Sequence, residues 1–198
     1  MPTININKFD ASKVNVSEDM GKLNNGLKTM FVDYGGDKVP VRVQTPWMKM
    51  PFEPDEQDND RRSMCLNCNT DTFSDKMKSL DGAIINLAKE RSMKFFRKEN
   101  VSDEFIDINY TRIIKNGGEY SDKFKIKATK DTSYFTDTKE KIDGAQLSRG
   151  DDIRAIVELR YIWLNNGKFG ATWVALQIQQ RSNSFAEIGF VDSDDDEQ

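Results

Sequence analysis

No histidine occurs in the 198 residues. That absence removes the commonest general base, every Ser-His or Cys-His nucleophile pair, and the histidine-containing zinc sites of most metallohydrolases. Cysteine is nearly absent too: Cys65 and Cys68 are too few for a disulfide scaffold and fit a reducing compartment. Cys65-Leu66-Asn67-Cys68 has the spacing of half a zinc knuckle, but no second pair and no histidine complete four ligands. As a redox CxxC it lacks the expected strand-to-helix context, so both thiols read as inert and the chain as needing no metal or cofactor. No stretch approaches the roughly 20 apolar residues of a membrane helix, and Met1 to Asp10 lacks the basic-then-apolar order of a signal peptide. The expectation is a soluble intracellular protein with no membrane partner. Phosphate loops of the Walker type, GxGxxG and GxSxG are missing as well. Carboxylates remain for catalysis with a metal, but the conspicuous acids fall in expected loops or at the C-terminus, and the chain reads as a non-enzyme.

What is present is charge, unevenly placed. The formal net charge is −4. Asp192, Asp194, Asp195, Asp196 and Glu197 close the chain with five acids and no base, which leaves 29 bases against 28 acids, or +1, on residues 1–191. A second run, Glu53 to Asp60, holds five more acids and reads as a mobile loop; setting it aside leaves 29 against 23, or +6. A modestly basic body with an acidic tail is the result. A hydrophobic content of 37% supports one core. The division expected is a folded domain over 1–183 and a flexible tail over 184–198, whose composition buries too little surface to fold alone.

Along the chain, Lys13 to Val16 and Leu27 to Val32 read as short strands between turns at Gly21, Asn24-Asn25-Gly26 and Gly35-Gly36. Val39 to Gln44 alternates, which predicts Val39, Val41 and Val43 inward and Arg42 and Gln44 outward. In Thr45 to Phe52 two prolines bracket Trp47 and are expected to break any regular ladder. Arg62 to Asn67 can be another strand. Phe73, Met77, Leu80, Ile84, Leu87, Ala88 and Arg91 fall at helical spacing and predict one helix over Ser74 to Phe96, with Ser74 or Asp75 near its N-cap and Lys94, Arg97 and Lys98 at its cation-favouring end. Ser102 to Tyr110 can form a second short element. The strands Lys123 to Thr129 and Ser133 to Thr136 precede two long ones, Asp152 to Leu164 and Phe169 to Gln180, whose Asn-Gly connection is a strong hairpin signal. Together these predict a mainly β fold, an OB-like five-stranded Greek-key barrel with an inserted helix and a long C-terminal hairpin. Periodicity does not separate that barrel from an open α+β sheet.

In Lys123-Phe124-Lys125-Ile126-Lys127 a strand would put three ammonium groups on one face, as a phosphate-tracking groove requires, and Tyr134 nearby could stack a base for ~1–3 kcal/mol. A lysine-rich solvated face would serve solubility equally. Trp47 can be a stacking platform or a plug at one end of the barrel. In Asp152 to Leu164, Ile153, Ala155, Val157, Leu159, Tyr161 and Trp163 share one face and Arg154, Ile156, Glu158, Arg160 and Ile162 the other. Trp163 and Trp173 read as core, and Arg154 and Arg160 as nucleic-acid contacts or surface ion pairs. The candidate DNA-binding set is Arg42, Trp47, Lys49, Lys123, Lys125, Lys127, Tyr134 and Arg160.

The hairpin Ile162-Trp163-Leu164-Asn165-Asn166-Gly167-Lys168-Phe169-Gly170-Ala171-Thr172-Trp173, with Gln177 beyond it, resembles the C-terminal hairpin of the replicative single-stranded DNA-binding proteins of short-tailed coliphages and nucleocytoplasmic large DNA viruses. Gln44 to Phe52 is similar to their segment after an early strand, and the likeness runs from about Val39 to Gln180. It implies an OB-fold protein that coats unwound DNA without sequence preference during viral replication, recombination or repair, located where viral DNA is copied in the infected cell. It also implies that Asp192, Asp194, Asp195, Asp196 and Glu197 compete with DNA for the groove and dock replication partners, a polymerase or a helicase/primase. The phage type ends in an aromatic residue, whereas here Phe190 precedes the acids and the chain ends in Gln198; docking details and a homodimer are left open. The alternative is a non-catalytic adaptor that binds another protein through its sheet.

Overall fold

The computed structural model describes residues 3–23, 26–36, 38–57, 61–68 and 70–181. The acidic residues from Asp192 to Glu197, the assignment of 184–198 as a tail, and the tip of the second acidic run therefore lie outside the described residues.

The chain runs β1 (Val14–Lys22), β2 (Lys28–Tyr34), β3 (Val41–Gln44), β4 (Met48–Lys49), β5 (Asp55–Gln57), β6 (Arg61–Asn67), α1 (Asp71–Glu90), α2 (Ser92–Phe96) and α3 (Asp103–Asn109). Then follow β7 (Tyr110–Thr111), β8 (Ile114–Lys115), β9 (Lys123–Ala128), β10 (Ser133–Thr136), β11 (Lys141–Ile142), β12 (Asp152–Asn165) and β13 (Lys168–Gln180). None of these helices is long and apolar enough to cross a membrane.

The inserted helix and the final hairpin are present, but the five-stranded closed barrel is not. The sheet has the open order β1-β2-β12-β13-β9-β6-β5, whose end strands do not pair with each other. The reason lies in the length of the hairpin. At 14 residues, β12 takes three antiparallel partners in succession, β4 at Asp152–Ile153, β3 at Ile156–Leu159 and β2 at Ile162–Leu164. β13 likewise takes β7, β9 and β10 in parallel along its length. Two register shifts in the hairpin, at Arg160 in β12 and Leu176 in β13, bend it where the partners change. The turn is Asn166-Gly167 with φ of 49° and 81°, the left-handed pair that a two-residue hairpin connection demands.

Two local expectations are corrected. The acidic run is not wholly loop: Asp55–Gln57 is β5, paired with Arg61–Ser63 of β6, and Glu56 meets Arg62 at 3.3 Å. The prolines do not stop pairing either, since Met48 and Lys49 join β12 opposite Ile153 and Asp152.

The single helix predicted over Ser74 to Phe96 is two. α1 begins at Asp71, so Ser74 is buried inside its first turns instead of capping it, and the Asp71 carboxylate suits the helix N-terminus. It ends at Arg91 (φ −106°, ψ 33°), whose Nη1 donates to the carbonyls of Val16 and Ser17, both at 3.2 Å, where β1 departs from regular pairing. Ser102 caps α3 by accepting from the Phe105 amide at 3.2 Å.

The helices lie on one face of the sheet. Phe73 of α1 packs edge-on against Phe124 of β9 (5.1 Å between centroids), Phe124 meets Trp173 of β13, and Phe95 and Phe96 of α2 meet Phe169. Met77, Leu80, Ile84 and Ala88 complete the buried stripe, each large side chain contributing about 1.5–3 kcal/mol by leaving water. Inside this layer Asp81 is buried and accepts from the Tyr110 hydroxyl (2.6 Å) and the Ile113 amide (3.0 Å). Burial pushes its carboxyl above the usual range, against the pull of those two hydrogen bonds.

Candidate nucleic-acid interface

Because side chains alternate along a strand, the residues between these core positions point away from α1. On β9 Phe124 and Ile126 are fully buried, so Lys123, Lys125 and Lys127 lie on the opposite face. Lys127 stands beside Val174 of β13, Val174 opposite Glu158 of β12, and Glu158 opposite Arg42 of β3. One row of the ladder thus joins three of the candidate residues' strands on a single face.

Not all of their charge is free. Glu158, 7% exposed at its side chain, accepts from Arg42 Nε at 2.7 Å and pairs with Arg160 Nη1 at 3.2 Å. Lys123 Nζ donates to Asn67 Oδ1 (2.8 Å) and the Ser121 carbonyl (2.7 Å). Lys49 is exposed and stands opposite Asp152 in the ladder. Lys125 and Lys127 differ: among the described residues neither has a carboxylate partner, and neither does Arg61 of β6, two residues before Ser63, which stands opposite Lys127. Burial lowers the Lys127 pKa, and the charges of Lys125 and Arg61 lower it further. These are like charges gathered with no anion among them.

Trp47 sits at one end of this face with the guanidinium of Arg154 4.8 Å and that of Arg181 4.6 Å from its ring centroid. Arg154 Nε donates to Gln179 Oε1 at 2.7 Å, and Gln179 in turn donates to the Thr136 and Asp137 carbonyls. Beside them a groove of about 280 Å³ is lined by Gln44, Ile156, Gln177, Phe135 and Lys139.

The shift at Arg160 changes which face the end of β12 presents. Ile153, Ala155, Val157 and Leu159 are buried as alternation predicts, but beyond the bulge Ile162 and Leu164 are buried while Tyr161 and Trp163 are only partly so. Tyr161 and Trp163 thereby join the face of Arg154 and Glu158, and Trp163 lies over Gly170, where an added Cβ would come within 2.9 Å of its ring. No periodicity reports such a bulge. Gln44 and Arg154 were readable as outward positions of strands, whereas Arg61 precedes the strand expected from Arg62 and alternation had assigned no face to Phe135 or Gln177; that these residues are neighbours was not readable at all.

Tyr134 goes the other way. It stands beside Ile178, a core position, and its ring covers Gly144 so closely that a Cβ there would approach it to 2.4 Å. Burial raises its hydroxyl pKa. Of the candidate set, then, Arg42, Trp47, Lys49, Lys123, Lys125, Lys127 and Arg160 share the face away from α1, and Tyr134 does not.

The site offers cations, amides and aromatic rings. Among the described residues no group of three or more His, Cys, Asp or Glu is placed to hold a metal ion. Cys68 is buried, which raises its thiol pKa and keeps it protonated. The arrangement can bind; it has no nucleophile paired with a base.

A family model described as a family of unknown function (DUF5871) matches residues 55–192. No curated protein matches the chain in sequence. Among solved structures, the single-stranded DNA-binding protein of bacteriophage Enc34 is similar at 13% identity and a TM-score of 0.50, covering 90% of this chain and 97% of that one. Its C-terminal truncation is similar at the same identity and score, covering 88% and 96%. The same phage protein in complex with ssDNA scores 0.49, covering 85% and 98%. At this identity the likeness concerns the fold.

Proposed function

We propose that this chain, which belongs to the family of unknown function DUF5871, binds single-stranded DNA without sequence preference through the sheet face turned away from α1. The observation that carries this is the group Lys125, Lys127 and Arg61, cations gathered on one face with no carboxylate partner among the described residues. A phosphate backbone would supply the missing anion and release its own counterions in doing so. Trp47, Tyr161 and Trp163 on the same face provide ring surfaces on which bases stack irrespective of sequence. The shared fold with the phage Enc34 single-stranded DNA-binding protein agrees with this reading.

The acids Asp192, Asp194, Asp195, Asp196 and Glu197 compete with DNA for this face and, once displaced, dock replication proteins. Arg181 anchors their attachment, its amide donating to the Asp152 carbonyl beside Trp47 at the end of the face. Ten residues lie between Arg181 and Asp192, and the steps of ~3.3–3.6 Å per residue from one to the other span at most about 40 Å. Coating of unwound DNA during viral replication, recombination and repair is the corresponding role.

The test is fluorescence-anisotropy titration of labelled oligo(dT) with the full chain and with a chain ending at Val191, at low and high salt. Binding that weakens steeply with salt and strengthens on truncation is expected. No binding by either form at low salt would overturn the proposal and favour a protein partner for the same face.

A further inference from the structure

The groove between β3, β12, β13 and β10 differs in character from the basic surface around it. Ile156 forms its floor, flanked in the ladder by Gln44 on one side and Gln177 on the other. Both glutamines are exposed, and neither side-chain amide has a hydrogen-bond partner among the described residues. Phe135, in register with Gln179, adds an aromatic wall, and Gln179 is itself held rigid by Arg154 and two carbonyls. The groove is thus an apolar slot of about 280 Å³ with two idle amides at its mouth and a guanidinium beside it. That is near the small end of ligand sites and suits one planar ring system.

We propose that this slot takes one nucleobase of the bound strand. The base would lie on Ile156 and against Phe135, with its polar edge meeting the Gln44 and Gln177 amides while Arg154 holds the adjoining phosphate. Each amide presents a donor and an acceptor and can turn to offer either, so the slot accepts any base instead of selecting one. This inference rests on the DNA-binding reading and adds to it a fixed point on an otherwise sliding contact.

The experiment compares oligo(dT) with an oligomer of the same length made of abasic residues, which keeps the phosphates and removes every base. Both are titrated against the wild-type chain and the double variant Gln44→Ala/Gln177→Ala, whose fold is checked by thermal melting. The variant is expected to bind oligo(dT) about 10-fold more weakly, the loss of two modest hydrogen bonds, and to bind the abasic oligomer as the wild type does. Equal oligo(dT) affinity in wild type and variant would overturn the slot and leave the DNA-binding reading standing. An equal loss on both oligomers would also overturn it, since the glutamines would then act on backbone or fold. Failure of the wild type to bind either oligomer would overturn the DNA-binding reading and the slot with it.

Discussion

Glu158 is held between two arginines, with Arg42 Nε 2.7 Å from its Oε2 and Arg160 Nη1 3.2 Å from its Oε1, on the face away from α1. The carboxylate is 7% exposed and the guanidinium-bearing side chains 24% and 48%. Two of the cations expected to meet phosphate are therefore already engaged with an internal anion, and this separates the effects of substitution across the face.

Arg42→Ala leaves a buried carboxylate with one half-exposed partner. It is expected to lower unfolding free energy by about 2–3 kcal/mol in urea titration, while oligo(dT) affinity changes by no more than about 3-fold. A large affinity loss with unchanged stability would show that Arg42 contacts phosphate directly.

Lys125→Ala and Lys127→Ala should do the reverse. Each is expected to reduce the slope of log K against log salt by about 0.7, the signature of one lost phosphate contact on a single strand. Lys127 carries a further sign. Its folded-state pKa lies below the unfolded one, so the protonated side chain opposes folding and stability rises as pH climbs through the interval between the two values. Lys127→Met should accordingly raise the melting temperature of the DNA-free protein below that interval while weakening binding. A lower melting temperature would contradict this account of the site.

Tyr134 packs on Gly144 behind the sheet, so Tyr134→Ala should destabilise the fold and leave oligo(dT) affinity within about 2-fold. Gly144→Ala should also destabilise, by roughly 1–3 kcal/mol from overpacking. In the double variant the two losses should be less than additive because the removed ring vacates the space of the new methyl. Strict additivity in chemical denaturation would argue against that contact.

Asp81 supplies a pH dependence unrelated to DNA. Its folded pKa is raised by burial above the ordinary aspartate value of 3.8, so the folded state retains the proton longer than the unfolded chain, and this group's contribution to stability declines as pH rises from about that value through the folded pKa. Asp81→Asn keeps an acceptor for the Tyr110 hydroxyl and the Ile113 amide. It should remove that component, so urea midpoints of wild type and variant, followed from acid to neutral pH, should diverge in the variant's favour. Parallel midpoints would show that the carboxyl is not perturbed.

Much of the molecule was readable one strand at a time. Alternation placed Val41, Val43, Phe124 and Ile126 in the core and Arg42, Lys125 and Lys127 outside, because a strand with one buried face leaves its pattern in the chain. The Asn166-Gly167 turn and the helical stripe from Phe73 to Ala88 were equally local, set by backbone chirality and helical period.

What local pattern does not encode is which strands become neighbours and where a ladder slips. The barrel expectation failed because β12 and β13 are long enough to serve several partners each, and pairing between distant segments leaves no mark on either sequence alone. One extra residue at Arg160 turned Tyr161 and Trp163 from core to the open face, a change no alternation count anticipates. Residue chemistry was written in the order of amino acids; the company each residue keeps, such as Gln44 and Gln177 across Ile156, was decided by strand pairing over more than a hundred residues of chain.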